Sequence, residues 1–262
     1  TPFPTDEPTW NSLINAQLSS GQLNAAYGLQ NNFAQYLLTK QKPSQAIQML
    51  HTALLNAQKM ESSIDIATIQ ANLSRIYMFE RNMEQAGYFQ EAYYKEALSN
   101  KQLKEQASSL VQIAMIQALD KDFRSAENTI IRKAIPLFNK VKAYDGKIMA
   151  WEHLARIYQL QNKHTEAQWF LIQARDLANA KSLHDDLAEI EYLLASSKLI
   201  QKNTKVAKLE FLKADVLAKK ENNKLLQLAI LDKLGEVYLQ QKDLSNAETT
   251  LAEYYELRKE LF

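Results

Sequence analysis

Six alanines recur along this chain at nearly constant distance: Ala46, Ala86, Ala126, Ala167, Ala207 and Ala247, separated by 40, 40, 41, 40 and 40 residues. A period of that length restricts a chain to stacked copies of one supersecondary unit, each burying a face against the next. Two further columns keep the same register. Thirteen residues before each alanine stands an apolar residue (Phe33, Leu73, Ile113, Leu154, Leu194, Leu234), and twelve before it a small one (Ala34, Ser74, Ala114, Ala155, Ala195, Gly235). Nine before it, Tyr77, Tyr158 and Tyr238 alternate with Leu37, Gln117 and Lys198. Seven after it, Ala53, Ala174 and Ala214 share the column with Tyr93, Lys133 and Tyr254.

The unit can be read from Trp151 to Ala174. Leu154, Ala155 and Tyr158 form one helical stripe, QNKH breaks the pattern, and Ala167, Leu171 and Ala174 form a second stripe. That is a helical hairpin. Antiparallel helices approach within about 8–10 Å only where small side chains sit at the crossing. Enlarging a residue in such a crossing costs about 1–3 kcal/mol.

Breaks are expected near 41–43, 60–63, 80–83, 99–101, 120–123, 142–147, 161–164, 181–183, 201–204, 220–223 and 241–244. Inside the hairpin turns, Asn82, Asp122, Asn203 and Asp243 are good N-caps, and Pro43 follows Lys42 at a first-turn position where its missing N–H costs nothing. Before the first pair, Asp6 or Thr9 should begin a helix ending near Ser20-Gly21. The third copy is irregular. It carries the single 41-residue spacing, the strongest turn signal (Asp145-Gly146) and Pro136 inside its second helix, so a local bend near 132–147 is expected, as a tolerated defect or a hinge. The last helix carries an apolar stripe, Leu251, Tyr254, Leu257 and Leu261, and reads as cut at a junction to a connecting helix or as the closure of a terminal core.

These columns resemble the tetratricopeptide repeat over about residues 30 to 262, in a 40-residue variant of the usual unit of about 34. The proline usual near the end of the second helix is missing from every copy. The resemblance implies an all-α, TPR-like α-solenoid, a right-handed superhelix of antiparallel hairpins with about thirteen helices. Residues 1–21 form an extended segment and capping helix, followed by repeats at 22–60, 61–100, 101–143, 144–181, 182–221 and 222–262. The variant looks like the repeats of bacterial regulatory proteins, including quorum-peptide receptors and the sensor regions of two-component histidine kinases.

The chain's 31 basic and 30 acidic residues create no general field for nucleic acid. No cysteine is present, and no apolar run is long enough to span a bilayer. His51, His153, His164 and His184 lie at no metal-ligand spacing, and no nucleophile elbow, P-loop or dinucleotide fingerprint occurs, so no metal, cofactor or enzyme activity is expected. The segment Glu152-His153 with Arg156 reads as solvated helix surface.

The resemblance implies that first helices line a concave surface and contact a protein or peptide ligand. Its positions fall on Gln35, Arg75, Met115, Arg156 and Glu236, and on Glu152, Tyr192 and Asp232. Arg75 and Arg156, flanking Met115, are placed to grip a carboxylate, with an acidic far end at Asp232 and Glu236. Seven and eight before the anchors the surface is apolar, including Leu38, Met78, Phe79, Leu119, Leu160, Leu199, Ile200 and Leu239, either as a partner site or as packing between first helices. Three functions fit. One is the sensor of a larger signalling protein, on the extracytoplasmic side of a membrane, with possible dimerisation through the last helix. The others are a free-standing scaffold recruiting a protein, and a cytoplasmic peptide-responsive regulator.

Overall fold

A computed structural model describes residues 4–261. It contains thirteen helices, counting 123–141 as one, and no strand among the described residues. The chain divides into two compact units, one ending at Asp122 and the other starting at Phe123. The first holds α1 (Glu7–Ser19), α2 (Leu23–Thr39), α3 (Pro43–Lys59), α4 (Ser63–Phe79), α5 (Met83–Ser99) and α6 (Leu103–Leu119). The second holds α7 (123–141), α8 (Tyr144–Leu160), α9 (His164–Lys181), α10 (Leu187–Ile200), α11 (Thr204–Lys220), α12 (Lys224–Gln240) and α13 (Leu244–Leu261). No helix among the described residues is long and apolar enough to cross a membrane.

The anchor alanines are where close packing needs them. All six are buried, as are Ala34, Ser74, Ala114, Ala155, Ala195 and Gly235 in the small column. At Gly235 a Cβ would come within 2.8 Å of Leu251 on α13, so the partner helix already fills that space. In the first unit, α1 closes the stack by laying Trp10 on Phe33, ring centroids 5.7 Å apart, over a core that continues through Leu50 and Leu73. Asp6 caps α1 by accepting from the Thr9 amide at 2.8 Å.

A second regularity lies in the turns, and the columns above do not display it. A left-handed residue ends each of the first twelve helices, at Gly21, Gln41, Glu61, Arg81, Lys101, Lys121, Lys142, Asn162, Ser182, Lys202, Asn222 and Lys242. After each, the next amide reaches back five residues to a helix carbonyl, as in Lys42 N–H to Leu37 (2.9 Å) and Asn203 N–H to Lys198 (2.9 Å). This is the Schellman closure, which satisfies carbonyls that a helix end leaves orphaned. N-caps are used more sparingly. Asn82 and Asp243 accept from the Gln85 and Asn246 amides as expected, and Asn223 caps α12, whereas Asn203 makes no side-chain cap bond.

The left-handed residue lies 15 residues after its anchor in four repeats (Ala46 to Glu61, Ala86 to Lys101, Ala167 to Ser182, Ala207 to Asn222) but 16 after Ala126, at Lys142, so the extra residue of the 41-residue spacing lies inside α7. There, Thr129–Ala134 is π-helical, with the Ile135 amide donating to Ile130, five residues back. A π turn absorbs one residue without breaking the helix. Pro136, which lacks an N–H, is seated in the helical turn that follows.

Asp145-Gly146 is not a turn; both lie in the first turn of α8. Gly146 is required for a steric reason. A Cβ there would stand 2.2 Å from Cε1 and 2.4 Å from Cδ1 of Phe138, which is fully buried. The equivalent of Phe138 is Ala57, Ala97, Ala178 and Ala218 in four other repeats, each the carbonyl acceptor of its turn. The third copy has therefore exchanged an alanine for a phenylalanine and accommodates it with a glycine.

Candidate functional site

In the first unit, α4 and α6 form the walls of an open groove with α5 at its base. One part, about 370 Å³, is lined by Ile64, Ala71, Asn72, Arg75, Tyr93 and Asn100 among others. An adjoining part of about 210 Å³ shares Ala71, Arg75 and Tyr93 and adds Met78, Gln112 and Ile116. Together they approach the size of a small-ligand or peptide side-chain site.

Arg75 stands at the junction of the two parts. It is exposed, and no carboxylate pairs with it among the described residues. The lining around it is amides, hydroxyls and apolar surface with one carboxylate, Glu96, which accepts from Asn100 at 3.0 Å and makes no ion pair with Arg75, so the guanidinium N–H donors are available to an incoming acceptor. Asn72 is held by donating to Asn31 of α2 at 2.5 Å, which ties α4 to the preceding first helix. Met115 is half-buried on α6 and Gln35 is exposed on α2; neither lines the groove parts described.

Tyr93 carries the other half of the groove chemistry. Its column holds alanine in three copies, so a tyrosine there fills space beside the crossing and reaches the groove. Burial, with Glu105 nearby, raises the pKa of its phenol. Tyr93 was not among the residues the sequence pointed to; its only trace there is that, like Lys133 and Tyr254, it departs from alanine seven after the anchor.

The second unit arranges its residues differently. Glu152 is only 6% exposed, and its Oε1 has no hydrogen-bond partner. The solvated reading of Glu152, His153 and Arg156 is thus corrected: burial first, then Asp186 and Glu189, push the Glu152 carboxyl up to about 9 despite Arg156. His153 is half-buried, bonded to the Met149 carbonyl at 2.9 Å, and burial pushes its pKa down. Arg156 is paired with Glu189 of α10. Tyr192 is half-buried with its ring tilted against Phe211, centroids 5.9 Å apart. Asp232 and Glu236 are exposed, with Lys233 between them at 3.4 and 3.1 Å.

The apolar row splits between its two expected fates. Phe79, Leu160, Ile200 and Leu239 are exposed; Leu38, Met78 and Leu119 are half-buried, and Leu199 is buried.

At neutral pH the folded chain holds Glu152 protonated while the unfolded chain ionises it. Its contribution therefore makes stability fall as pH rises from about 4.5 towards 9. Glu152→Gln keeps the shape without the ionisation, and should flatten that slope and raise stability at pH 8 by about 1–3 kcal/mol. Urea titrations across the window check this; identical slopes in the two proteins would show the carboxyl to be solvated.

No family model matches the chain, and no curated protein does. Solved structures do. A Rap protein complexed with competence and sporulation factor superposes with a TM-score of 0.68 at 15% identity, over 97% of this chain and 76% of that one. BtubC (BKLC) from P. vanneervenii gives 0.65 at 16%, over 82% and 90%. The signal-transduction ATPase from Pyrococcus horikoshii, described as having a tetratricopeptide repeat sensor, gives 0.65 at 15%, over 90% of this chain and 36% of that one. With its hairpins, buried small columns and these superpositions, the chain has the fold of a tetratricopeptide-like α-solenoid.

Proposed function

We propose that the chain is a non-enzymatic binding region that captures an extended peptide segment in the groove of its first unit, with Arg75 receiving a carboxylate. The observation that carries this is an exposed guanidinium without a carboxylate partner, in a groove whose other lining is amides, hydroxyls, Tyr93, apolar surface and a single carboxylate, Glu96, which accepts from Asn100 instead. A guanidinium can hold a carboxylate through two parallel hydrogen bonds, and the planar pair fixes the register of the peptide. Of the two arginines marked for such a grip, Arg156 has its own carboxylate in Glu189, so Arg75 is the one that selects. The likeness to a Rap protein complexed with competence and sporulation factor agrees with a role in binding a partner.

We further propose that this region works as the sensor of a larger signalling protein of the two-component histidine-kinase type, with the repeat boundaries given above as its units. The 40-residue period supports this. The coding sequence beyond Phe262 decides: a membrane segment and kinase domain support the sensor, and a stop codon supports the free-standing scaffold.

The groove is tested by selecting peptides from a random library on the immobilised chain. Selected sequences should share an acidic side chain or a free carboxy terminus, and Arg75→Glu should weaken their binding at least about tenfold with unchanged helical circular dichroism. Equal affinity for the variant would remove this groove from consideration.

A further inference from the structure

We propose that the outward face of α11, with the neighbouring α9, docks on an anionic phospholipid surface. The face follows from spacing. Lys205, Leu209, Leu212, Lys213, Val216 and Lys220 recur at helical intervals on one side of α11, and all are exposed, Leu209 by 59% and Val216 by 66%. The opposite side, Ala207, Phe211, Ala214 and Ala218, is fully buried. The helix therefore has two apolar faces, and the core uses only one.

The charge on the free face is of one sign. Of the acids of α11, Asp215 is buried and bound to Lys219 at 2.6 Å, and Glu210 is half-buried. No carboxylate comes within ion-pair distance of Lys205, Lys213 or Lys220 among the described residues; Glu210 lies near enough to Lys213, and the exposed Glu221 of the following turn near enough to Lys220, for a weaker attraction. On α9, against whose core Leu217 of α11 packs, Trp169 is 56% exposed and Ile172 is exposed beside it. Glu166 and Asp176 lie one turn away from that pair, so the attraction comes from α11 and the aromatic anchor from α9.

This combination suits a headgroup layer better than a partner helix. The apolar residues are framed by lysines rather than joined into a seam, and lysine stems can lie along the apolar boundary while their ammonium groups meet phosphates. Lysine binds phosphate as a point charge and needs no fixed geometry, and tryptophan favours the interface.

Cosedimentation with phosphatidylcholine vesicles, with and without about one-third phosphatidylglycerol, tests the assignment. Binding is expected to the anionic vesicles only, and to weaken with salt. Lys213→Glu with Lys220→Glu should lower partitioning at least about 100-fold, since each basic residue near the surface contributes severalfold and each reversal counts twice. Leu209→Ser with Val216→Ser should lower it as well, while Arg75→Glu leaves it unchanged. These are exposed helical positions, so circular dichroism should stay constant. No binding to anionic vesicles, binding indifferent to either pair, or capture of an acidic helical protein on this face without vesicle binding would each overturn it.

Discussion

Alanine at position 146 is expected to destabilise the second unit by about 2–4 kcal/mol, although alanine is the better helix former by about 1 kcal/mol. The reason is the ring of Phe138. The new methyl would stand 2.2, 2.4 and 2.8 Å from three of its carbons, and the ring is fully buried. A flexible side chain could yield; a packed phenyl ring has no vacant volume to enter. Phe138→Ala should itself cost about 3–5 kcal/mol through the cavity it leaves. The double variant should cost clearly less than the sum, because each change relieves the other. Urea unfolding of the four proteins measures the coupling. A Gly146→Ala protein as stable as the parent would mean that the α7–α8 contact is looser than described.

Glycine at the left-handed turn positions should act in the opposite direction. Glu61, Lys101, Lys202 and Lys242 adopt φ of 53°, 57°, 63° and 59°. For side chains of this kind the left-handed region costs about 1–2 kcal/mol, which glycine avoids while giving up part of the gain to a more mobile unfolded chain. Each substitution should stabilise by about 0.5–1 kcal/mol, and the four turns are far enough apart to approach additivity, for a total near 2–4 kcal/mol. Lys101→Val should lose about 1 kcal/mol or more, since a branched Cβ is least tolerated there. Thermal and urea unfolding check both directions, and no gain from the glycines would show that these turns are not held left-handed in solution.

These two experiments probe features of different legibility. The left-handed turns recur every 20 residues, or 21 between Lys121 and Lys142, yet lysine, glutamate, glutamine, arginine, asparagine and serine occupy all but the first, so residue type concealed the period that helix geometry enforces. The irregular spacing at the third repeat could be seen in the alanines, but its location could not. A residue inserted in a loop and one absorbed by a π turn leave the same count between anchors.

Tyr93 was visible only as a departure from alanine in its column, and Arg75 as a groove position; that Arg75 lines the groove unpaired while Arg156 is paired emerged only when the helices were in place. Glu152 is the clearest reversal. A glutamate beside a histidine and an arginine reads as solvated surface, yet it is buried with Asp186 and Glu189 near it, and the arginine that would have neutralised it is paired with Glu189.

By itself, the amino-acid order determined the helices, their pairing and the crossing points, because a helix crossing needs small side chains at fixed spacing and repetition prints that requirement six times. Only the tertiary structure decided which charges are free, paired or buried. That depends on residues more than thirty positions apart, such as Arg156 and Glu189, meeting across neighbouring helices. The local pattern sets which face each side chain occupies, and the packed neighbours set what it finds there.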